Sequence, residues 1–306
     1  LTNGLSAIRG LFRSNENGLD DHSPATPDHT NNKSRQTVEK QVNQYSFFSS
    51  GWETSVGKHR AHNQDAVLAY TSNLVSNNLN QSIGVFAVAD GMGGHKNGDL
   101  ASEIAIQSVY IEFVKNNLDL MSGTDTAFGI NQFENILQSC TLSAHKRVSE
   151  EVPGGGTTLT IAVIYRDQVI IAHIGDSRAY FVNHQGNLKL LTRDHSVVSR
   201  MQELGKLTEE QAASHPQRNV LYRALGQIEY TEPDLYSYSL IDTSNLLICS
   251  DGLWGLISEN QISTTIMESQ TPQIACTKLV EAANKAGGPD NITAIVIRFP
   301  EGVKQS

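Results

Sequence analysis

Apolar residues along this chain fall in two patterns, short β-branched runs ended by turn residues and stripes at steps of three and four. Short β-branched runs bounded by turn residues predict strands over Asp65 to Thr71, Ile83 to Ala89, Thr157 to Tyr165, Gln168 to Ile174 and Arg178 to Val182. Leu235 to Leu240, Leu246 to Cys249 and Ile292 to Phe299 continue the series. Arg166-Asp167 and His184-Gln185-Gly186-Asn187 are too short for a crossover, so the strands they join are antiparallel, which argues against a doubly wound parallel sheet. Phe133, Ile136, Leu137, Cys140, Ala144 and Val148 form a stripe at helical spacing, and Ala101, Ile104, Ala105, Val109 and Phe113 fit a helix before it. A third helix is expected from Pro272 to Ala286. Helices segregated from antiparallel strands make the class α+β.

From Arg13 to Gln44 the apolar residues are only Leu19, Ala25, Val38 and Val42. Such a stretch cannot bury enough surface to offset its ordering entropy, so residues 1–45 are expected to be a disordered N-terminal tail. One domain is expected over 46–300, with a short tail at 301–306. The 306 residues carry 23 Lys and Arg against 32 Asp and Glu, a net charge of -9 that disfavours nucleic acid and anionic membranes as partners. An anionic substrate must then find local positive charge. Cys140, Cys249 and Cys276 have no C-x-x-C spacing, which suggests neither a disulfide framework nor a thiolate zinc site. No run is long and apolar enough to span a bilayer. A cytoplasmic monomer is expected.

The aspartates fall at strand ends. Asp90-Gly91 follows Val85 to Ala89, Asp251-Gly252 follows Leu246 to Ser250, and Asp176 follows Ile170 to Gly175. Asp290 comes just before the last predicted strand and Asp65 begins another. Carboxylates brought together at buried strand ends repel one another unless cations or protons neutralise them. Oxygen ligands without nearby Cys or paired His point to Mg²⁺ or Mn²⁺ rather than zinc. Asp-Gly is also common turn chemistry, and spacing alone does not make the carboxylates converge.

Six motifs occur in one order: Arg60-Ala61-His62-Asn63-Gln64-Asp65, Ala89-Asp90-Gly91-Met92-Gly93-Gly94-His95, Gly156-Thr157-Thr158, Gly175-Asp176-Ser177-Arg178, Ser250-Asp251-Gly252-Leu253-Trp254 and Gly288-Pro289-Asp290-Asn291. With them the chain resembles the metal-dependent protein phosphatases, the type 2C or PPM family, and looks like its bacterial branch over roughly Gly51 to Arg298. The resemblance implies a central antiparallel β-sandwich flanked by helices on both faces, a four-layer αββα arrangement. It implies two Mg²⁺ or Mn²⁺ ions at one end of the sandwich, and a third, weaker one in many bacterial members. By similarity Asp90 bridges both metals, Asp251 and Asp290 complete the first site, and the Gly91 carbonyl serves the second. Asp65 acts through metal-bound water, and Asp176 with Asp251 matches the third site.

The activity implied is hydrolysis of phosphoserine and phosphothreonine by direct attack of a metal-bridging water or hydroxide, with no phosphoenzyme. Arg60 is the candidate for holding the phosphate, because a guanidinium meets two phosphoryl oxygens through a planar fork. Its bland alternative is a solvated surface arginine. The partners implied are phosphorylated proteins and a Ser/Thr protein kinase. Two rivals stand beside this reading: a catalytically weak docking module for phosphoproteins, and a phosphatase of small phosphate esters.

Two positions depart from the family pattern. Many animal members carry His directly after the Asp-Gly of the bridging carboxylate, where this chain has Met92; His95 is the nearest candidate for the general acid, with His59 and His62 behind it. Gln64 stands where many members place a glutamate near the second metal. The stretch Ser196 to Leu225 resembles the flap beside the metal centre of bacterial relatives, and Asp194-His195 before it reads as structural. Gly154-Gly155-Gly156 lacks the lysine of a P-loop and leads into a strand, so it reads as a tight turn.

Overall fold

The computed structural model describes residues 48–76, 79–93, 97–122, 129–227 and 232–300; both predicted tails and His95 lie outside them. In chain order come β1 (Ser49–Ser55), β2 (Asp65–Ser76), β3 (Leu79–Met92), α1 (Asn97–Ser122) and α2 (Ile130–Glu151). Then follow β4 (Gly156–Thr157), β5 (Leu159–Tyr165), β6 (Gln168–Ile174), β7 (Arg178–Asn183) and β8 (Leu188–Leu190). The short helices α3 (Val197–Glu203) and α4 (Glu209–Ala213) lead to β9 (Asp234–Ser239) and β10 (Thr243–Cys249). The described chain closes with α5 (Asp251–Trp254), α6 (Glu259–Glu268), α7 (Pro272–Lys285) and β11 (Ile292–Arg298).

The strands form two sheets, ordered β1-β11-β10-β7-β8 and β2-β3-β5-β6-β9, with β4 continuing along the end of β3. Neighbours are antiparallel throughout. The inner faces pack Phe86, Val88, Ala162, Ile164 and Ile171 of one sheet against Ala179, Phe181, Leu246, Ile248, Ile295 and Ile297 of the other. On the outer face of the second sheet, Val85, Ala87, Ile161, Val163 and Ala172 meet Ala105, Val109, Phe113, Phe133 and Leu137 of α1 and α2. On the outer face of the first, Tyr180, Val182, Leu247, Ala294 and Val296 meet Ile262, Ile266, Ala275 and Leu279 of α6 and α7. The architecture is therefore the four-layer αββα sandwich. It explains why β5 and β10 are buried along their whole length: alternate side chains point into different cores, and both cores are dry.

Local chemistry accounts for the element ends. Thr271 accepts from the Ile274 amide and Pro272 follows at the first position of α7, while Ser196, Thr208 and Ser258 cap α3, α4 and α6 the same way. β1, β8, α6 and the short helices α3, α4 and α5 escape the hydrophobic pattern. β1 is mostly exposed and polar, β8 is three residues long, and α6 buries only Ile262, Ser263 and Ile266. The run expected as one strand from Thr157 to Tyr165 is interrupted at Thr158. There the Asp90 amide donates to the Thr158 hydroxyl (2.9 Å) instead of to a main-chain carbonyl.

The packing predicts that Phe86→Ala, at the fully buried junction of the two sheets, lowers unfolding free energy by about 3–5 kcal/mol in a denaturant titration. A loss below about 1 kcal/mol is outside the range for an emptied core site.

Candidate metal centre

Antiparallel pairing carries the aspartates to one rim. Asp65 begins β2 and lies directly across from Asp90 near the end of β3. β6 ends at Ile174, two residues before Asp176. In the other sheet Cys249 of β10 pairs with Ala294 of β11, so Asp251 after β10 and Asp290 before β11 leave that sheet at the same end. The Ser250 hydroxyl donates to Asp65 Oδ2 across the sandwich at 2.8 Å and accepts from the Thr293 amide. Asn291 braces the same rim, accepting from the Gln64 amide and donating to the carbonyls of Val56 and His62.

Two glycines permit this crowding. A Cβ on Gly91 would come within 2.0 Å of the Gly98 carbonyl at the start of α1, so no other residue fits there. Gly175 has a φ of 114° and its Cβ would meet Thr158 at 2.5 Å, which fixes the turn that presents Asp176. The Gln64 amide packs against Gly98, whose Cβ would lie 2.3 Å from its nitrogen. The neutral side chain thus fills space beside the cluster and adds no charge to it.

The electrostatics follow from the geometry. Burial pushes the Asp65 carboxyl up to about 7, with Asp251 and Asp290 adding repulsion and the hydroxyls of Thr293 and Ser250 opposing it. Asp251 is raised to about 6, first by burial and then by Asp290, while a hydrogen bond with Asp90 and the Arg60 charge hold it down. Asp90 is driven well above the usual carboxylate range by burial and by Asp65, Asp251, Asp176 and Asp290. Asp176 is raised by burial, Asp251 and Asp194, against the pull of Arg178. The carboxylates therefore feel one another. Among the described residues no three acidic, imidazole or thiol groups close into a ready coordination shell.

The donor set still fits a hard divalent cation. Asp65 Oδ1 and Asp251 Oδ1 are buried without a hydrogen-bond partner, and the facing groups are oxygens. A cation would satisfy both atoms and relieve the repulsion. Arg60, half exposed, spans to the cluster through Nη2, which donates to Asp290 Oδ2 at 2.7 Å. Of the histidines named from the sequence, His59 and His62 are exposed on the loop before β2.

The sequence profile of the family described as protein phosphatase 2C matches residues 53–292. This chain belongs to the protein phosphatase 2C family. It is 35% identical over 250 residues to the protein phosphatase PhpP of Streptococcus pneumoniae, spanning 81% of this chain and 96% of that protein. The serine/threonine phosphatase of S. agalactiae superposes with a TM-score of 0.72 at 31% identity, over 83% of this chain and all of that one. The catalytic domain of the serine/threonine protein phosphatase PstP, solved with two manganese ions, is 28% identical with a TM-score of 0.64, over 82% of this chain and 97% of its own. The family motifs named from the sequence also contained the bracing groups that were not singled out: Thr158 sits in Gly156-Thr157-Thr158, and Ser250 and Asn291 stand next to Asp251 and Asp290. Their adjacency was the available signal.

The raised carboxyls have a pH consequence. Between about 4, where a free Asp titrates, and about 7, the value for Asp65, the folded chain keeps protons that the unfolded chain has released. Folding then loses stability as pH rises through that window. In excess chelator, Tm is expected to fall between about pH 4.5 and 7.5, less steeply for Asp65→Asn, and Mn²⁺ is expected to raise Tm more at the higher pH. Equal Mn²⁺ shifts at both pH values would contradict the charge argument.

Proposed function

We propose that this protein is a divalent-metal-dependent protein serine/threonine phosphatase that hydrolyses phosphoserine and phosphothreonine on proteins, opposing a Ser/Thr kinase. The carrying observation is the convergence of buried carboxylates with unpartnered oxygens at the rim where Arg60 reaches in. Asp90, Asp251 and Asp290 would hold one ion, and Asp90 with the Gly91 carbonyl a second. Asp65 would contact bound water, and Asp176 with Asp251 a third, weaker ion. When bound, such ions lower the pKa of water from about 15.7 towards neutrality and offset phosphoryl charge.

The chain's own groups do the rest. Nη2 of Arg60 is committed to Asp290, which aims the guanidinium along the rim and leaves its other donors for phosphoryl oxygens. That supplies the local positive charge an acidic protein needs to receive a phosphate dianion. Ser250 and Thr293 hold Asp65 by hydrogen bonds, so its free oxygen Oδ1 is fixed in direction. Asp65 can therefore orient a water and accept its proton. His95 is our candidate for returning a proton to the leaving alkoxide.

The homologous phosphatases support this activity over a docking module, as does the presence of Asp90, Asp251 and Asp290 together. Phosphopeptides assayed beside nucleotides and phosphosugars separate it from a small-ester phosphatase; faster turnover of the small esters would overturn the protein-substrate assignment. Asp90→Asn is expected to abolish Mn²⁺-dependent hydrolysis of a phosphothreonine peptide while circular dichroism stays that of the folded chain. Retained activity would remove Asp90 from the centre. Arg60→Ala is expected to raise KM for the peptide about tenfold or more, the mark of a lost binding contact. An unchanged KM would leave Arg60 a surface residue.

A further inference from the structure

The residue before Asp176 is gripped by a histidine from another part of the chain. His195, 1% exposed, donates its main-chain N–H to the Gly175 carbonyl at 2.7 Å and accepts the Gly175 N–H on its own Nδ1 at 3.1 Å. Both polar groups of Gly175 are thus occupied by one residue. Because Nδ1 accepts from an amide, the ring proton sits on Nε2, which faces Asp234 Oδ2 at 3.1 Å. Asp234 is itself held by Arg223, whose Nη1 donates to Oδ1 at 2.7 Å, and by the Tyr236 hydroxyl. Arg223 Nη1 also lies 2.9 Å from His195 Nε2, with an N–H directed to the Asp234 carboxylate.

The other side of the imidazole is equally constrained. It lies 4.9 Å from the ring of His173. His173 donates through Nε2 to the Arg193 carbonyl, so its Nδ1 accepts from Thr160. The Asp176 carbonyl is held separately by the Trp254 indole N–H at 3.0 Å, and Arg178 covers the Trp254 ring at 3.5 Å. Beyond the site, the segment 196–225 returns to the same histidine: the Tyr222 N–H donates to the His195 carbonyl at 2.9 Å. A second foot of that segment, Leu225, exchanges both main-chain bonds with Thr157, which pairs with Gly91.

We propose that His195 is a positioning residue for the Asp176 carboxylate: Nδ1 fixes the Gly175 turn, Nε2–H on Asp234 holds the ring in that tautomer, and the His195 carbonyl ties the turn to Tyr222 of the segment 196–225. The inference rests on the metal-dependent reading above. It makes Mn²⁺ affinity at the Asp176 side of the rim depend on a residue that touches neither metal nor substrate. Asparagine and glutamine separate the two functions of the ring. His195→Asn keeps an acceptor where Nδ1 stands, whereas His195→Gln keeps a donor towards Asp234 and loses the acceptor for Gly175.

The test is Mn²⁺ titration of the full chain by Trp254 fluorescence in a Trp52→Phe background, repeated by calorimetry. His195→Gln is expected to weaken the weakest Mn²⁺ binding step about tenfold or more, the usual effect of losing a group that orients a ligand. His195→Asn is expected to stay within about threefold of the parent, an effect below 1 kcal/mol by the tenfold-per-1.4 kcal/mol relation. At saturating Mn²⁺, KM for a phosphothreonine peptide should be unchanged in both. Asp234→Ala leaves Arg223 Nη1 to donate to His195 Nε2, which puts the ring proton on Nδ1 and takes the acceptor from Gly175; it should raise the same Mn²⁺ midpoint and stands in should His195→Gln not fold. Equal Mn²⁺ binding by the parent and by His195→Gln, or equal weakening in the Asn and Gln variants, would overturn the proposal and leave the phosphatase reading standing. A parent chain that binds no Mn²⁺ would overturn both.

Discussion

Carboxylates repel one another most where water cannot screen them, and here Asp65, Asp90, Asp176, Asp251 and Asp290 meet at the rim of a dry β-sandwich. That repulsion is the constraint around which the rim is arranged. Hydrogen bonds from Ser250 and Thr293 steady Asp65, and those of Arg60 and the Asn291 amide steady Asp290. The Asp90 amide is tied to Thr158 and the Asp176 carbonyl to Trp254. Such bonds fix where the charges point without removing them. Two buried carboxylate oxygens keep no partner, and a divalent cation is the species whose charge and coordination meet that need.

The sandwich makes the cluster affordable. Each sheet is dry on both faces, packed on one side by the other sheet and on the other by helices. Its strands therefore hold position against forces that would open a one-sided sheet. Antiparallel order does the gathering. In a sheet whose neighbours alternate direction, the end of β3 adjoins the start of β2, and the end of β10 adjoins the start of β11. Residues far apart in sequence reach one edge without a long connection.

The supports around Asp176 extend that logic. Gly175 must adopt a backbone conformation that side-chain-bearing residues avoid, and two main-chain contacts from opposite sides hold it and its neighbour. The histidine in this bracket is also where the segment 196–225 takes its footing. A change in that segment and a change at the Asp176 carboxylate are thereby parts of one hydrogen-bonded unit at the carboxylate rim.

The long apolar strands, the helix pair and α7 are legible in the sequence, because burial on both faces or on one helical stripe writes itself into side-chain type. Left illegible were β1, β8, α6 and the short helices α3, α4 and α5, whose polar or short segments borrow their order from neighbours. The sequence also marks the aspartates at strand ends and, through the ordered motifs, the family. Convergence is a different kind of fact. No spacing along the chain says that Asp65 faces Asp90, that Ser250 crosses to Asp65, or that His195 grips Gly175. Those pairings join residues up to 185 positions apart. They exist only once strand register and sheet packing have set distances in space, and Coulomb forces and hydrogen bonds depend on those distances alone.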